Sequence, residues 1–239
     1  MKSFSPALTL GYCQKKDRHL RGCKTQASFM KILALELSTA RGGIAAPGDD
    51  GDPSTALRTC LAREWANDRK HSGLFFDNLQ EITKKFGVPE MIVVGVGPGS
   101  YAGIRIAISA AIGLQQATGA RLVGLPSICA FEAEEYCVIG DARRNSFFFA
   151  QVAGNELTDC PTLLSEAELR TKLDKLGSNM SIFCSEPLPQ FAGAVVRYPS
   201  AKVLARLAQD PNRRFTLPPL EPMYLREPHI TVPRSTTRT

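Results

Sequence analysis

The sequence is poor in the residues that build metal centres and disulfide scaffolds. It has three histidines, His19, His71 and His229. His71 is followed four residues on by Phe75, so a helical pair of histidine ligands cannot form there. Seven cysteines lie scattered at positions 13, 23, 60, 129, 137, 160 and 184. None forms C-x-x-C or a zinc-ligand spacing, which argues against a zinc module and for a reduced interior rather than a disulfide framework. No apolar run reaches the length of a membrane span, and no hydrophobic segment of the signal-peptide kind follows the basic start. Nor is there a G-x-G-x-x-G fingerprint or a G-x-x-x-x-G-K-[ST] loop. No nucleophile is set beside a base in any recognisable spacing. The expectation is therefore a cytoplasmic protein with no catalytic residues and no metal.

What is present centres on residues 91–117, MIVVGVGPGSYAGIRIAISAAIGLQQA. A β-branched run from Met91 to Val96 has strand length and composition, and it stops at Gly97-Pro98-Gly99. Ser100 is a natural N-cap for the helix that follows, in which Ile104, Ile108, Ala111, Ile112 and Gln115 recur at steps of three and four. Two readings of the hinge compete. It is an anion site, because a helix start offers free N–H groups, or it is a tight turn whose glycines supply backbone freedom. Ser100 stands where a third glycine would be, and Pro98 lacks an N–H, which weighs toward the turn. The helix itself is rich in small residues, Ala102, Gly103, Ala107, Ser109, Ala110, Ala111, Gly113 and Ala117. Such a helix lets another helix approach closely. The stripe Ile104, Ile108, Ile112 is assigned to the sheet, and Ala102, Ser109 and Gly113 to a partner.

The net charge of +6 is unevenly spread. Residues 1–29 hold six basic residues and one acid, leaving about +1 for the rest. That stretch has no core-forming period and reads as a disordered or mis-annotated extension, with Met30 as the true start. The body lacks the electrostatic footprint of a strong tRNA binder.

In chain order, Lys31 to Thr39 reads as a buried first strand with Glu36 at its end. Arg41-Gly42-Gly43 reads as a hairpin turn, and a third strand is expected around Thr59 to Trp65. A helix runs from His71 through Ile82 toward Phe86, with Leu74, Leu79 and Ile82 as its stripe and Phe75 and Phe76 broadening it. A strand at Arg121–Gly124 leads to a boundary at Leu125-Pro126, where Ser127 caps an expected helix over 128–134. Tyr136–Gly140 is a strand delivering Asp141, then a turn, then a strand from Ser146 to Val152. Further on come a helix over 165–176, a strand at Met180–Cys184 and a helix over Ser200–Ala208. The tail after Pro228 reads as disordered. Both halves thus open with a strand, an acid at its end, a turn and a strand.

LALELST, GPGSYAGIRI, GLPSICAFEA, DARRNSFFF and PMYLR occur in the order and close to the spacing of the bacterial TsaB (YeaZ) family. The resemblance spans about Met30 to Arg226. It implies an α/β chain with the actin-like, sugar-kinase-like (ASKHA) fold of two related ribonuclease H-like domains, here 30–125 and 126–228, between tails at 1–29 and 229–239. It implies a non-catalytic scaffold subunit in the threonylcarbamoyladenosine modification of tRNA. That subunit pairs with the TsaD transferase and the TsaE ATPase, meets tRNA only through that complex, and has a homodimer as its competing assembly. No cofactor is implied beyond weak ATP or ADP binding at the complex.

The implied pairing surface uses the two first-domain helices, with His71, Phe75, Leu79, Ala102, Arg105, Ser109 and Gly113 as its residues. A vestigial nucleotide cleft would gather Glu36, Ser38, Thr39, Gly97, Gly99, Ser100 and Asp141. The chain departs from the family at Glu36-Leu37, often Asp-Thr. It departs also at Tyr101-Ala102-Gly103, often Phe-Thr-Gly, at Ala107, where glycine is usual, and at Asn145-Ser146, often Gly-Glu. Loss of two threonine hydroxyls weakens the case for nucleotide binding. The alternative reading is a metallopeptidase or small-molecule kinase with Glu36 and Asp141 as metal ligands.

Overall fold

A computed structural model of the chain describes residues 30–47, 60–67, 72–177 and 180–226. Among these it holds eleven strands and four α-helices in two sheets. The first half runs β1 (Ile32–Glu36), β2 (Arg41–Ala46), β3 (Leu61–Ala66), α1 (Gly73–Phe86), β4 (Met91–Gly95), α2 (Tyr101–Thr118) and β5 (Arg121–Leu125). The second runs β6 (Glu135–Asp141), β7 (Ser146–Ala153), β8 (Glu156–Leu157), β9 (Thr162–Ser165), α3 (Glu166–Asp174), β10 (Ser181–Cys184), β11 (Val195–Val196) and α4 (Ala201–Ala208).

The first sheet has the order β3-β2-β1-β4-β5 and the second β11-β10-β6-β7-β8, with β9 also paired to β7. In each, the opening strand is antiparallel to the next and parallel to the strand that returns after a helix. The plan is the same in both halves, as the ASKHA fold requires. β1 and β4 are buried throughout and apolar except for Glu36 and Gly95, the composition of strands covered on both faces.

One face of the first sheet carries α1 and α2, through Phe75, Leu79, Ile82, Ile104, Ala107, Ile108 and Ala111. The other face is covered by α4, whose Ala201, Val203, Leu204, Ala205, Leu207 and Ala208 pack on Ile32, Ala34, Met91, Val93 and Val123. The boundary expected at 125/126 therefore does not divide the chain cleanly. α4 returns to the first sheet because that apolar face would otherwise lie open to water. The chain stays there, since Thr216 bridges Gly124 and the Met223 N–H donates to Val96 O at 2.7 Å.

Three local expectations are corrected. Gly42 and Gly43 lie inside β2 and the turn is at 38–40; Gly42 faces the Trp65 indole and Gly43 faces Ala201. The segment 128–134 is not an α-helix. Only a 3₁₀ turn forms, Ser127–Cys129, because its carbonyls are used by side chains. The buried Asn155 Nδ2 donates to the carbonyls of Cys129, Phe131 and Ala133, and Tyr136 Oη donates to Ile128 O. Leu74, Phe76 and Ile112 are exposed rather than core. The buried line on α1 is 75, 79, 82, and the last fully buried residue of α2 is Ala111, with half-buried Leu114 packed beyond it.

Candidate functional site

β1 ends in a glutamate with 0% exposure. The Glu36 Oε1 accepts from the Ser38 N–H at 2.6 Å, while Oε2 and the Ser38 Oγ are buried with no partner among the described residues. Burial pushes this carboxyl above its ordinary value, opposed by the Ser38 N–H. Gly95 makes the room: a Cβ there would collide with the Glu36 carboxyl and the Ser127 hydroxyl. Ser127 in turn accepts from the Gly97 N–H at 3.0 Å. The expectation cast Ser127 as a helix cap. Its bond to the turn carries no periodic signal in sequence.

Above this lies the Gly97-Pro98-Gly99-Ser100 turn. Ser100 caps α2 as its sequence suggests, its Oγ accepting from the Gly103 N–H at 3.3 Å. The glycines of this turn admit a close approach of backbone. A Cβ at Gly99 would meet the Ser38 carbonyl, and one at Gly103 the Leu37 carbonyl. The Ser100 N–H donates to Ser38 O at 2.6 Å. The end of β1 thus packs directly on the turn and takes up the Ser100 N–H, one of the donors at the helix start. Glu36, Ser38, Gly97, Gly99 and Ser100 do come together, and Thr39 sits at the rim with its hydroxyl turned to Arg41.

Asp141 occupies the corresponding strand end of the second sheet. Its carboxylate accepts from the Arg143 N–H at 2.6 Å and from the Arg143 guanidinium at 2.9 Å. Arg143, Arg144 and Asn145 all have positive φ. They line a shallow pocket with Asp141, Glu186 and Gln190. Among the described residues no group of three or more His, Cys, Asp or Glu side chains is placed to hold a metal ion. Four cysteines, Cys60, Cys129, Cys137 and Cys184, are free thiols as a reduced interior would have them, whereas Cys160 is disulfide-bonded and departs from that expectation.

The residues expected to meet a partner divide. Ala102, Arg105, Ser109 and Gly113 are all exposed along one side of α2, and a Cβ at Gly113 would find nothing within 4 Å. Phe75 and Leu79 are core residues and face away from any partner. On α1 the exposed apolar side chains are instead Leu74 and Phe76. His71 lies outside the described residues.

A model of the family described as TsaD, tRNA N6-adenosine threonylcarbamoyltransferase, matches residues 66–224. The chain belongs to this family. No curated protein matches it. Among the solved structures that share its fold are two from Pseudomonas aeruginosa. One is described as an uncharacterized protein with similarity to peptidase YEAZ. It is 21% identical with a TM-score of 0.62, over 83% of this chain and 100% of that one. The other, YeaZ, is 19% identical with a TM-score of 0.54, over 75% of this chain and 91% of that one. The YeaZ (TsaB) assignment expected from the motifs agrees with both findings. No described helix is long and apolar enough to cross a membrane.

Proposed function

We propose that this chain is a non-catalytic, cytoplasmic subunit of the machinery that makes N6-threonylcarbamoyladenosine in tRNA, pairing with the TsaD transferase through the exposed sides of α1 and α2. The family membership supports the pathway. The observation that carries the scaffold role is the filled strand end. The Leu37 and Ser38 carbonyls pack on Gly103 and Gly99 and the Ser100 N–H is bonded to Ser38 O, which supports a packed turn over a phosphate site. The exposed side of α2, with Ala102, Ser109, Gly113 and Ile112, offers small residues for close helix approach and an apolar side chain to bury.

The same face would serve a homodimer when the transferase is absent. TsaE would join the pair, and tRNA would bind only through the complex. The metallopeptidase or kinase reading is weaker, because Glu36 is sealed from solvent and Asp141 is held by its own loop.

The test is reconstitution. Threonylcarbamoylation of an unmodified tRNA by TsaD, with ATP, threonine, bicarbonate and the enzyme that forms the adenylate, is measured with and without this chain. The reading expects the modification to require the chain, and expects none from the chain without TsaD. Modification by the chain in the absence of TsaD would overturn it.

A further inference from the structure

GPGSYAGIR and PMYLR, far apart in sequence, meet at one point on the surface. Tyr101 opens α2. Tyr224 is brought beside it by the neighbouring Met223 N–H, which is pinned to Val96 O. The two rings lie 5.4 Å apart, centroid to centroid, with 32° between their planes. Arg105 packs its guanidinium carbon 4.6 Å from the Tyr101 centroid and donates from Nη1 to Tyr101 Oη at 2.6 Å. The tyrosines remain 49% and 41% exposed, and neither belongs to a core cluster. Their orientation is fixed, with Arg105 over the Tyr101 ring, while both side chains stay partly exposed.

We propose that Tyr101, Arg105 and Tyr224 form a stacking platform for an unpaired nucleobase of RNA. The inference rests on the reading that this chain works in tRNA modification, and it adds that the chain itself touches the RNA. Every base has a π-face, and aromatic rings with a cationic arginine are the sequence-tolerant means of holding one. The platform lies at the start of α2, eleven residues or about 16 Å along the axis from exposed Ile112, and shares Arg105 with the side of α2 expected to meet a partner. Arg226, two residues past Tyr224, has a buried Nε with no partner among the described residues. Stacking also suits a body whose net charge is too small for binding driven by phosphates alone.

The experiment uses the full chain together with TsaD and an unmodified anticodon stem-loop RNA with 4-thiouridine in the loop. Photocrosslinking is mapped by mass spectrometry, and affinity is followed by fluorescence anisotropy. Crosslinks should fall on peptides containing Tyr101 or Tyr224. The double variant Y101L/Y224L should lose about tenfold or more in affinity, and Y101F/Y224F, which keeps the rings, should stay within about twofold. Equal losses in both variants, unchanged binding in the leucine variant, or no binding by the wild type overturn the proposal. So does a leucine variant that loses TsaD pairing while binding RNA normally, which would assign the surface to protein. If the chain proves dispensable for modification yet crosslinks at these tyrosines, the proposed function fails and the platform stands. Required for modification but never crosslinked there, the chain would keep its function and lose the platform.

Discussion

Glu36 is the residue on which the first half turns, because burial disfavours the charged form of a carboxyl so enclosed. Its ordinary value is 4.5 and the fold raises it. Below 4.5 the group is protonated whether the chain is folded or not, and the fold loses nothing. As the pH rises above 4.5 the unfolded chain releases the proton first, so the unfolded state gains and stability falls until the raised folded value is passed. Glu36→Gln removes that dependence and keeps the shape. Melts of the two proteins from pH 4 to pH 8 should diverge, the wild type falling relative to the variant as the pH rises. Parallel profiles would mean that Glu36 is ionised in the fold. The acid at the strand end was legible in the sequence. Its enclosure was not, since it depends on Gly95 and Ser127, which lie distant in sequence and carry no pattern pointing back to residue 36.

At the scale of elements, α2 separates two kinds of glycine. Gly103 faces the Leu37 carbonyl, a backbone group that cannot swing away. Gly103→Ala should cost about 1–3 kcal/mol through overpacking, despite the better helix propensity of alanine, and the loss would appear as a lower midpoint in urea unfolding. Gly113 faces open space. Gly113→Ala should leave the fold intact and raise its stability by about 0.5–1 kcal/mol. A destabilised Gly113→Ala, or a neutral Gly103→Ala, would contradict the faces assigned to this helix.

The sequence carried β1, β4 and α2 clearly, because continuous apolar runs, a serine cap and glycines at the ends agree with one another. It could not carry β8, β9 or β11, which are two to four residues long and exist only by pairing with strands already formed. It misplaced Ile112, Leu74 and Phe76 because periodicity gives a stripe without saying where the sheet ends. Whether the turn glycines bind an anion or admit a backbone was undecidable locally, since the carbonyls that fill the space belong to residues some sixty positions earlier.

The whole molecule is tied together by its last third. α4 follows the second sheet in sequence but forms one face of the first. Leu204 is completely buried there, and Leu204→Ala should cost about 2–5 kcal/mol. Because the chain crosses back, the two halves should unfold in a single transition that moves as a unit in this variant, followed by calorimetry and circular dichroism together. Two separated transitions, with only one displaced, would mean that the halves are independent.

The central claim concerns assembly. Native mass spectrometry of this chain mixed with the cognate TsaD, with and without ATP, should yield a complex containing both proteins. Gly113→Leu should keep the melting temperature of the isolated chain while weakening that complex about tenfold or more, the equivalent of about 1.4 kcal/mol. A wild-type mixture that gives only separate masses, or a Gly113→Leu chain that pairs as well as the wild type, would contradict the account.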